Sequence, residues 1–395
     1  MAAAVRSSLL VPKLDSVPNL RILCTRSTSS IYSKLQENAA AVYRSSKPDR
    51  LISEELAEFR KLGIKCIIDF RSKEEYLGTD GHCLLDKEYS LYKVCVPKEN
   101  YKAGEKVKCE IIFKASNKYE TSSKDKDLLQ DEEFATSQDN PEPAAVPSSE
   151  TFEKKHYLIN FFRMTYVFAV FNRLPWHLWL LGILYFLLDL LRRNKFKNFS
   201  KFFAKKALNK TGMYGQYVDI VEFSQSSICS ALKLLSDPNN LPALINCAHG
   251  KDRTGIVSAL VLTCLGMPKD YVAEEYALST EGLEPVKHLV YKDIVEKYHL
   301  REEFCKSDAE TMRSLLTYIE QKYTSVEGYM CHIGFGTEEQ QELKQNLEAF
   351  VYSSSELDRD AKEHEESLLF GDVSNPSSRI FNLEGVDQEQ SNEEQ

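Results

Sequence analysis

Residues 242–258 read Pro-Ala-Leu-Ile-Asn-Cys247-Ala-His-Gly-Lys-Asp-Arg253-Thr-Gly-Ile-Val-Ser. The run Ala243–Asn246 is short and apolar behind a proline, the pattern of a buried parallel strand. From Gly255 the apolar series 256–265 continues as a helix, which Gly266 and Pro268 stop. Residues 247–253 therefore form a tight loop between the end of a strand and the start of a helix.

That position suits an anion. Successive backbone N–H groups pointing into such a loop, with the dipole of the following helix, give it positive potential. The same field favours the thiolate of a cysteine placed there, a nucleophile near neutral pH. Arg253 offers a planar fork matched to two phosphoryl oxygens. Gly250 lets the backbone turn without a Cβ clash. Thr254 can donate its hydroxyl to the Cys247 sulfur. A bare Cys-x5-Arg is weak, and a structural cysteine in a strand-to-helix turn is the alternative. The preceding strand, the glycines, the Arg-Thr-Gly and the following helix make the pattern specific.

The run Cys247-Ala248-His249-Gly250-Lys251-Asp252-Arg253-Thr254-Gly255 resembles the signature of the cysteine-dependent protein tyrosine phosphatases. Its Gly-Lys-Asp-Arg-Thr-Gly core is similar to the bacterial PtpB-type branch, which takes phosphotyrosine, other phosphoresidues and phosphoinositides. The resemblance implies an α/β fold with a central, mostly parallel sheet flanked by helices. It implies two-step phosphomonoester hydrolysis with Cys247 as nucleophile and Arg253 on the equatorial oxygens. Ala248, His249, Gly250, Lys251, Thr254 and Gly255 then line the bound phosphate. The chain has no Trp-Pro-Asp, so Asp252 is the proton donor that the resemblance implies. Its alternative is structural: accepting backbone N–H groups or orienting Arg253. Lys251 and His249 are expected at the rim, where a second cation suits a substrate with several phosphates. No cofactor or metal is implied.

Further segments carry the same resemblance. Asp15-Ser-Val-Pro-Asn-Leu-Arg21 looks like the family's opening. Tyr43-Arg-Ser45, a helix after Ser53 ending at Gly63, and Ile67-Ile-Asp-Phe-Arg-Ser72 form a β-α-β unit, which implies parallel pairing. Asp69 and Arg71 sit at a strand's carboxyl end, where α/β sheets bind ligands. Two readings stand for them: a second layer around the phosphate loop, or a local salt bridge without chemical role. Strand 89–96, one helix over 213–235, and helices after Pro268, Ser307 and Thr337, the last running to Val351, complete the expected domain over 15–352.

Composition bounds the rest. The 395 residues carry a net charge of −9. From Ser355 onward twelve acidic residues face three basic ones, so the tail at 353–395 holds the whole imbalance. The remainder has no basic field for nucleic acid. Ten cysteines without a Cys-x-x-Cys pair argue for a reducing, cytoplasmic setting. Residues 1–14 read as a flexible terminus, with a short presequence as the alternative. Residues 97–156, rich in Lys, Glu, Asp, Ser and Pro, read as a disordered insertion.

The stretch 157–191 is strongly apolar, yet Arg163, Arg173, His177 and Asp189 interrupt it. Its longest uncharged piece, 174–188, has 15 residues, short of the roughly 18–20 a span needs. Two helices broken at Leu174-Pro175 fit best. They form a lid over the loop, a hairpin dipping into a bilayer, or core. Residues 192–210 carry eight basic side chains and no acid, interleaved with phenylalanine. This suits an anionic membrane surface, or else a solvated helix face. Taken together, the sequence points to a phosphatase of phosphotyrosine proteins or phosphoinositides. The competing classes are a phosphoinositide-binding module without turnover and a membrane-anchored scaffold.

Overall fold

In the computed structural model, the described residues are 11–26, 40–78, 83–96, 112–115, 153–193 and 196–350. Among them eight strands form one sheet: β1 (Arg21–Arg26), β2 (Ala40–Ser45), β3 (Cys66–Asp69), β4 (Tyr89–Cys95), β5 (Ile112–Ala115), β6 (Lys154–Leu158), β7 (Ala243–Asn246) and β8 (Leu347–Ala349). Their order is β5-β4-β6-β3-β7-β2-β1-β8. The five inner strands from β4 to β2 run parallel. β5, β1 and β8 pair antiparallel at the two sides. This is the expected α/β architecture.

β7 decides the geometry. It lies between β2 and β3 with all four residues fully buried, which is why it reads as an unbroken apolar run. Leu244 packs on one face with Tyr43, Phe59 and Ile67. Ile245 packs on the other with Val42, Ile68 and Ile256. Asn246 pairs with Ser45 on one side and Asp69 on the other. The three strands thus end together, and the loops after Ser45, Asp69 and Asn246 emerge at one edge.

Several boundaries differ from expectation. Ser53 is the first residue of the helix Ser53–Lys61, with Ile52 at the cap position. The helix expected over 213–235 is two, Asn209–Phe223 and Gln225–Ser236, separated at Ser224. Ser224 leaves helical geometry and donates its hydroxyl to the Phe161 carbonyl at 2.6 Å. Asp308, not Ser307, caps the helix Ala309–Tyr323. The last helix ends at Asn346 rather than Val351, because Leu347–Ala349 leaves to pair with β1. Within the stretch read as a disordered insertion, β5 and the first residues of β6 belong to the sheet. Most of that stretch, the tail 353–395 and residues 1–10 lie outside the described residues.

The apolar stretch forms the helices Met164–Asn172 and Trp176–Arg192, broken at Pro175 as its sequence implies. The basic helix Lys197–Phe203 follows. Gly182 lets it close on its neighbours, since a Cβ there would overlap the Phe171 ring and lie 2.9 Å from Phe202. Among the described residues no helix is long and apolar enough to cross a membrane.

Because Ile245 is fully buried at the centre of the sheet, Ile245→Ala should cost about 2–5 kcal/mol in urea unfolding. A cost below about 1 kcal/mol would contradict this packing.

Candidate active site

Cys247 follows β7 and is buried, 2% exposed. The chain then turns through Gly250 at φ +65°. A Cβ at Gly250 would overlap the Ser45 carbonyl, so only glycine fits. Three successive carbonyls of this loop, those of Ala248, His249 and Gly250, are engaged from outside. Lys47 N–H donates to Ala248 O at 3.4 Å. Asn19 Nδ2 donates to His249 O at 3.2 Å and to Gly250 O at 3.1 Å. Arg44 Nη2 donates to Gly250 O at 2.8 Å. A planar peptide sets its N–H opposite its C=O. Carbonyls turned outward therefore aim the loop's amides inward, the arrangement that binds an anion.

The outer donors are themselves fixed. Glu275 takes Arg21 Nε at 2.7 Å and Arg44 Nη1 at 2.5 Å. Ser279 Oγ accepts from both arginines, at 3.1 and 3.3 Å. Asn19 adopts the left-handed conformation at φ +64° and accepts from Arg21 through its side-chain oxygen. Burial would raise Glu275, but Arg21 and Arg44 hold it below the ordinary carboxylate range. Burial and then Arg21 pull the Arg44 guanidinium down to about 10 against the opposing pull of Glu275. In the sequence Asn19, Arg21, Arg44 and Glu275 all fall within segments that resemble the family, but no role for them could be read there.

Arg253 is the second residue of the helix Asp252–Cys264. Its Nη1 donates to Phe70 O at 2.8 Å and to Glu75 Oε2 at 2.9 Å, and its Nη2 to Glu75 Oε1 at 2.9 Å. Phe162 lies under the guanidinium, 4.8 Å from ring centroid to Cζ. Burial opposes the charge, and Glu75 more than offsets it, so Arg253 is raised. Glu75 is held in turn by Ser72 N–H at 2.9 Å, while Ser72 Oγ caps Glu75 N at 3.1 Å. Glu75 was not singled out from the sequence. The signal was there in Ser72-x-x-Glu75, a capping box.

Other expected residues are placed differently. Lys251 is not at the rim: it is fully buried. Its Nζ donates to Asp252 Oδ1 at 2.6 Å and to Lys306 O at 3.2 Å. Tyr217 Oη donates to the same Asp252 oxygen at 2.6 Å and lies 2.6 Å from Tyr276 Oη. Burial favours the neutral acid, but Lys251 and Tyr217 outweigh it and hold Asp252 below its ordinary value. In this geometry Asp252 is a carboxylate. His249 stays nearer the rim, its Nε2 3.5 Å from Asp293 Oδ2. Thr254 Oγ1 is buried without a hydrogen-bond partner among the described residues, Cys247 included. Gly255 makes room for the Tyr276 ring, which a Cβ would meet at 2.8 Å.

Asp69 and Arg71 pair with each other at 2.5 Å, and Arg71 also with Asp49 at 2.5 Å. Burial would raise Asp69, yet Arg71 and then His156 hold it well below the carboxylate range. Phe70, the residue between them, meets the site: its N–H donates to Asn246 O at 2.8 Å and its carbonyl accepts from Arg253 Nη1 at 2.8 Å. Among the described residues no group of three His, Cys, Asp or Glu side chains is placed to hold a metal ion.

A family model described as "Tyrosine phosphatase family" matches residues 12–349. A protein named tyrosine-protein phosphatase, from Nostoc commune, is 29% identical over 143 residues, covering 33% of this chain and 47% of that protein. The chain thus spans about half the length of the curated relative it matches.

Glu275 supplies the test of the buttress. Its folded-state ionisation is favoured, so its stabilisation is complete above the unfolded glutamate value and is lost as pH falls through the lowered folded one. Glu275→Gln leaves two buried guanidinium groups without a counter-charge. It should cost about 3 kcal/mol at neutral pH and flatten the loss of stability towards acid, both read by urea unfolding across pH. Unchanged stability with an unchanged acid slope would contradict the arrangement.

Proposed function

The chain belongs to the tyrosine phosphatase family, and from that premise we propose that it hydrolyses phosphomonoesters through Cys247. The observation that carries this reading is the ring of inward amides around the end of β7, with Cys247 at its base and Arg253 fixed at its side. Such a ring holds the equatorial phosphoryl oxygens, where charge develops during transfer. In the first step the Cys247 thiolate attacks phosphorus, an S–P bond forms, and the P–O bond to the leaving group breaks. In the second, water attacks phosphorus, the S–P bond breaks, and the thiolate is restored. Thr254, whose buried hydroxyl has no other partner among the described residues, is suited to donate to the departing sulfur.

Asp252 is the proton donor in this reading. It is ionised in the resting site, but a phosphate dianion beside it raises its proton affinity, so substrate loads the acid. The proton passes to the leaving oxygen and is regained from the attacking water. Lys251 does not supply a surface charge for a second phosphate, since it is fully buried. Residues 250–255 resemble the core of the PtpB-type branch, and the substrates proposed are phosphotyrosine proteins and phosphoinositides. The stretch 157–210 associates with an anionic membrane surface in a cytoplasmic setting, which holds the enzyme near lipid-borne substrate.

Purified protein should release phosphate from a phosphotyrosine peptide or a phosphoinositide, and Cys247→Ser should abolish it. Turnover retained in that variant would end the proposal. Asp252→Asn should slow phenyl phosphate by about 10²-fold and spare p-nitrophenyl phosphate, whose leaving group needs no proton. Equal losses on both substrates would assign Asp252 a structural role instead.

A further inference from the structure

The helix Trp176–Arg192 is turned inside out. Its one carboxylate, Asp189, is its buried polar group, 1% exposed. Asp189 accepts from Asn198 Nδ2 and Phe199 N–H, both at 2.8 Å, and so caps the first turn of the basic helix Lys197–Phe203. The outer face is hydrocarbon: Trp176 is 76% exposed, Leu180 53%, Leu184 51%, Leu187 48% and Leu191 80%. These positions follow one another by three or four residues, a single stripe about 22 Å long. A soluble helix of this amphipathic strength carries its apolar stripe inward.

The stripe is not a loosely attached appendage. Phe186 stacks on Phe196 at 5.0 Å and meets Phe199 at 5.6 Å, and Tyr185 meets Phe202 at 5.4 Å. These rings and the Asp189 cap bind the apolar helix rigidly to the basic one. Arg192, Lys197, Lys201, Lys205, Lys206 and Lys210 are all exposed, and no acid occurs from residue 190 to 210. An apolar stripe beside a row of cations has a definite complement, a surface that is hydrocarbon within and anionic at its face. A second copy of this chain would bring like charges together.

We infer that the stripe Trp176, Leu180, Leu184, Leu187 and Leu191 is an interfacial platform that lies in one leaflet of an anionic bilayer, with the lysines of 197–210 at headgroup level. This specifies the membrane association in the proposed function and rests on that reading. The helix lies along the interface rather than across it, consistent with its 17 residues. The same stretch of chain reaches the site upstream of the platform, since Phe162, which precedes its first helix, lies under Arg253.

The chain's two tryptophans, Trp176 and Trp179, both lie on this helix, so intrinsic fluorescence reports on it directly. Adding vesicles of phosphatidylcholine with phosphatidylserine to the full chain should shift the emission to the blue and carry the protein into the vesicle pellet. Phosphatidylcholine alone should do so far less, and salt should weaken the binding. Leu180→Glu with Leu184→Glu should cut vesicle partitioning at least about tenfold while leaving hydrolysis of soluble p-nitrophenyl phosphate unchanged. Cys247→Ser should bind vesicles as the parent does, so loss of catalysis and loss of docking are separately visible. The inference is overturned if emission and pelleting ignore anionic vesicles, whether the face is covered by a second copy or by the acidic tail. It is equally overturned if the two glutamates leave binding unchanged.

Discussion

Two hydrogen bonds from Arg44 and Asn19 to the carbonyl of Gly250 are the constraint on which the site depends. A loop of seven residues has as many carbonyls as amides, and a carbonyl pointing inward would repel a phosphate. Outward donors fix the sign of the field inside. Arg44 holds because Glu275, a single buried carboxylate, accepts from both it and Arg21. The polar network lies buried around the loop and holds its carbonyls outward.

The loop itself was plain in the sequence because its causes are local. An apolar run makes the strand, Gly250 makes the turn, and the residues after Gly255 make the helix. The β-α-β unit followed from the same periodicity. What could not be read were the partners. Glu75 meets Arg253 across 178 positions, and Glu275 meets Arg44 across 231. Acidic residues in helices ordinarily face solvent, and nothing local distinguishes these two. Lys251, expected at the rim as a second cation, misled for the same reason: Asp252, Tyr217 and the Lys306 carbonyl hold it in a buried cluster that nothing local announces. Ser224 and β8 were misread where tertiary bonding overrides helix periodicity.

The stretch after β6 shows how one sequence feature can serve two faces. Its inner rings pack on the sheet domain, and Phe162 reaches the catalytic arginine proposed here. Its outer leucines have no such use within the fold. The apolar helix presents a hydrocarbon surface facing out, while Phe162, upstream of it, lies under Arg253. Asp189, which by sequence interrupts the apolar run, is what joins that helix to its basic neighbour.

The account turns on a covalent bond between phosphorus and the Cys247 sulfur, made inside the amide ring. Rapid acid quench during turnover of a phosphotyrosine peptide, followed by mass spectrometry of the digested protein, tests this most directly. The account predicts one phosphoryl adduct, carried by the peptide that contains Cys247 and lost when excess unlabelled turnover is allowed to finish. Phosphate release without any such adduct, or an adduct on a different residue, would contradict it.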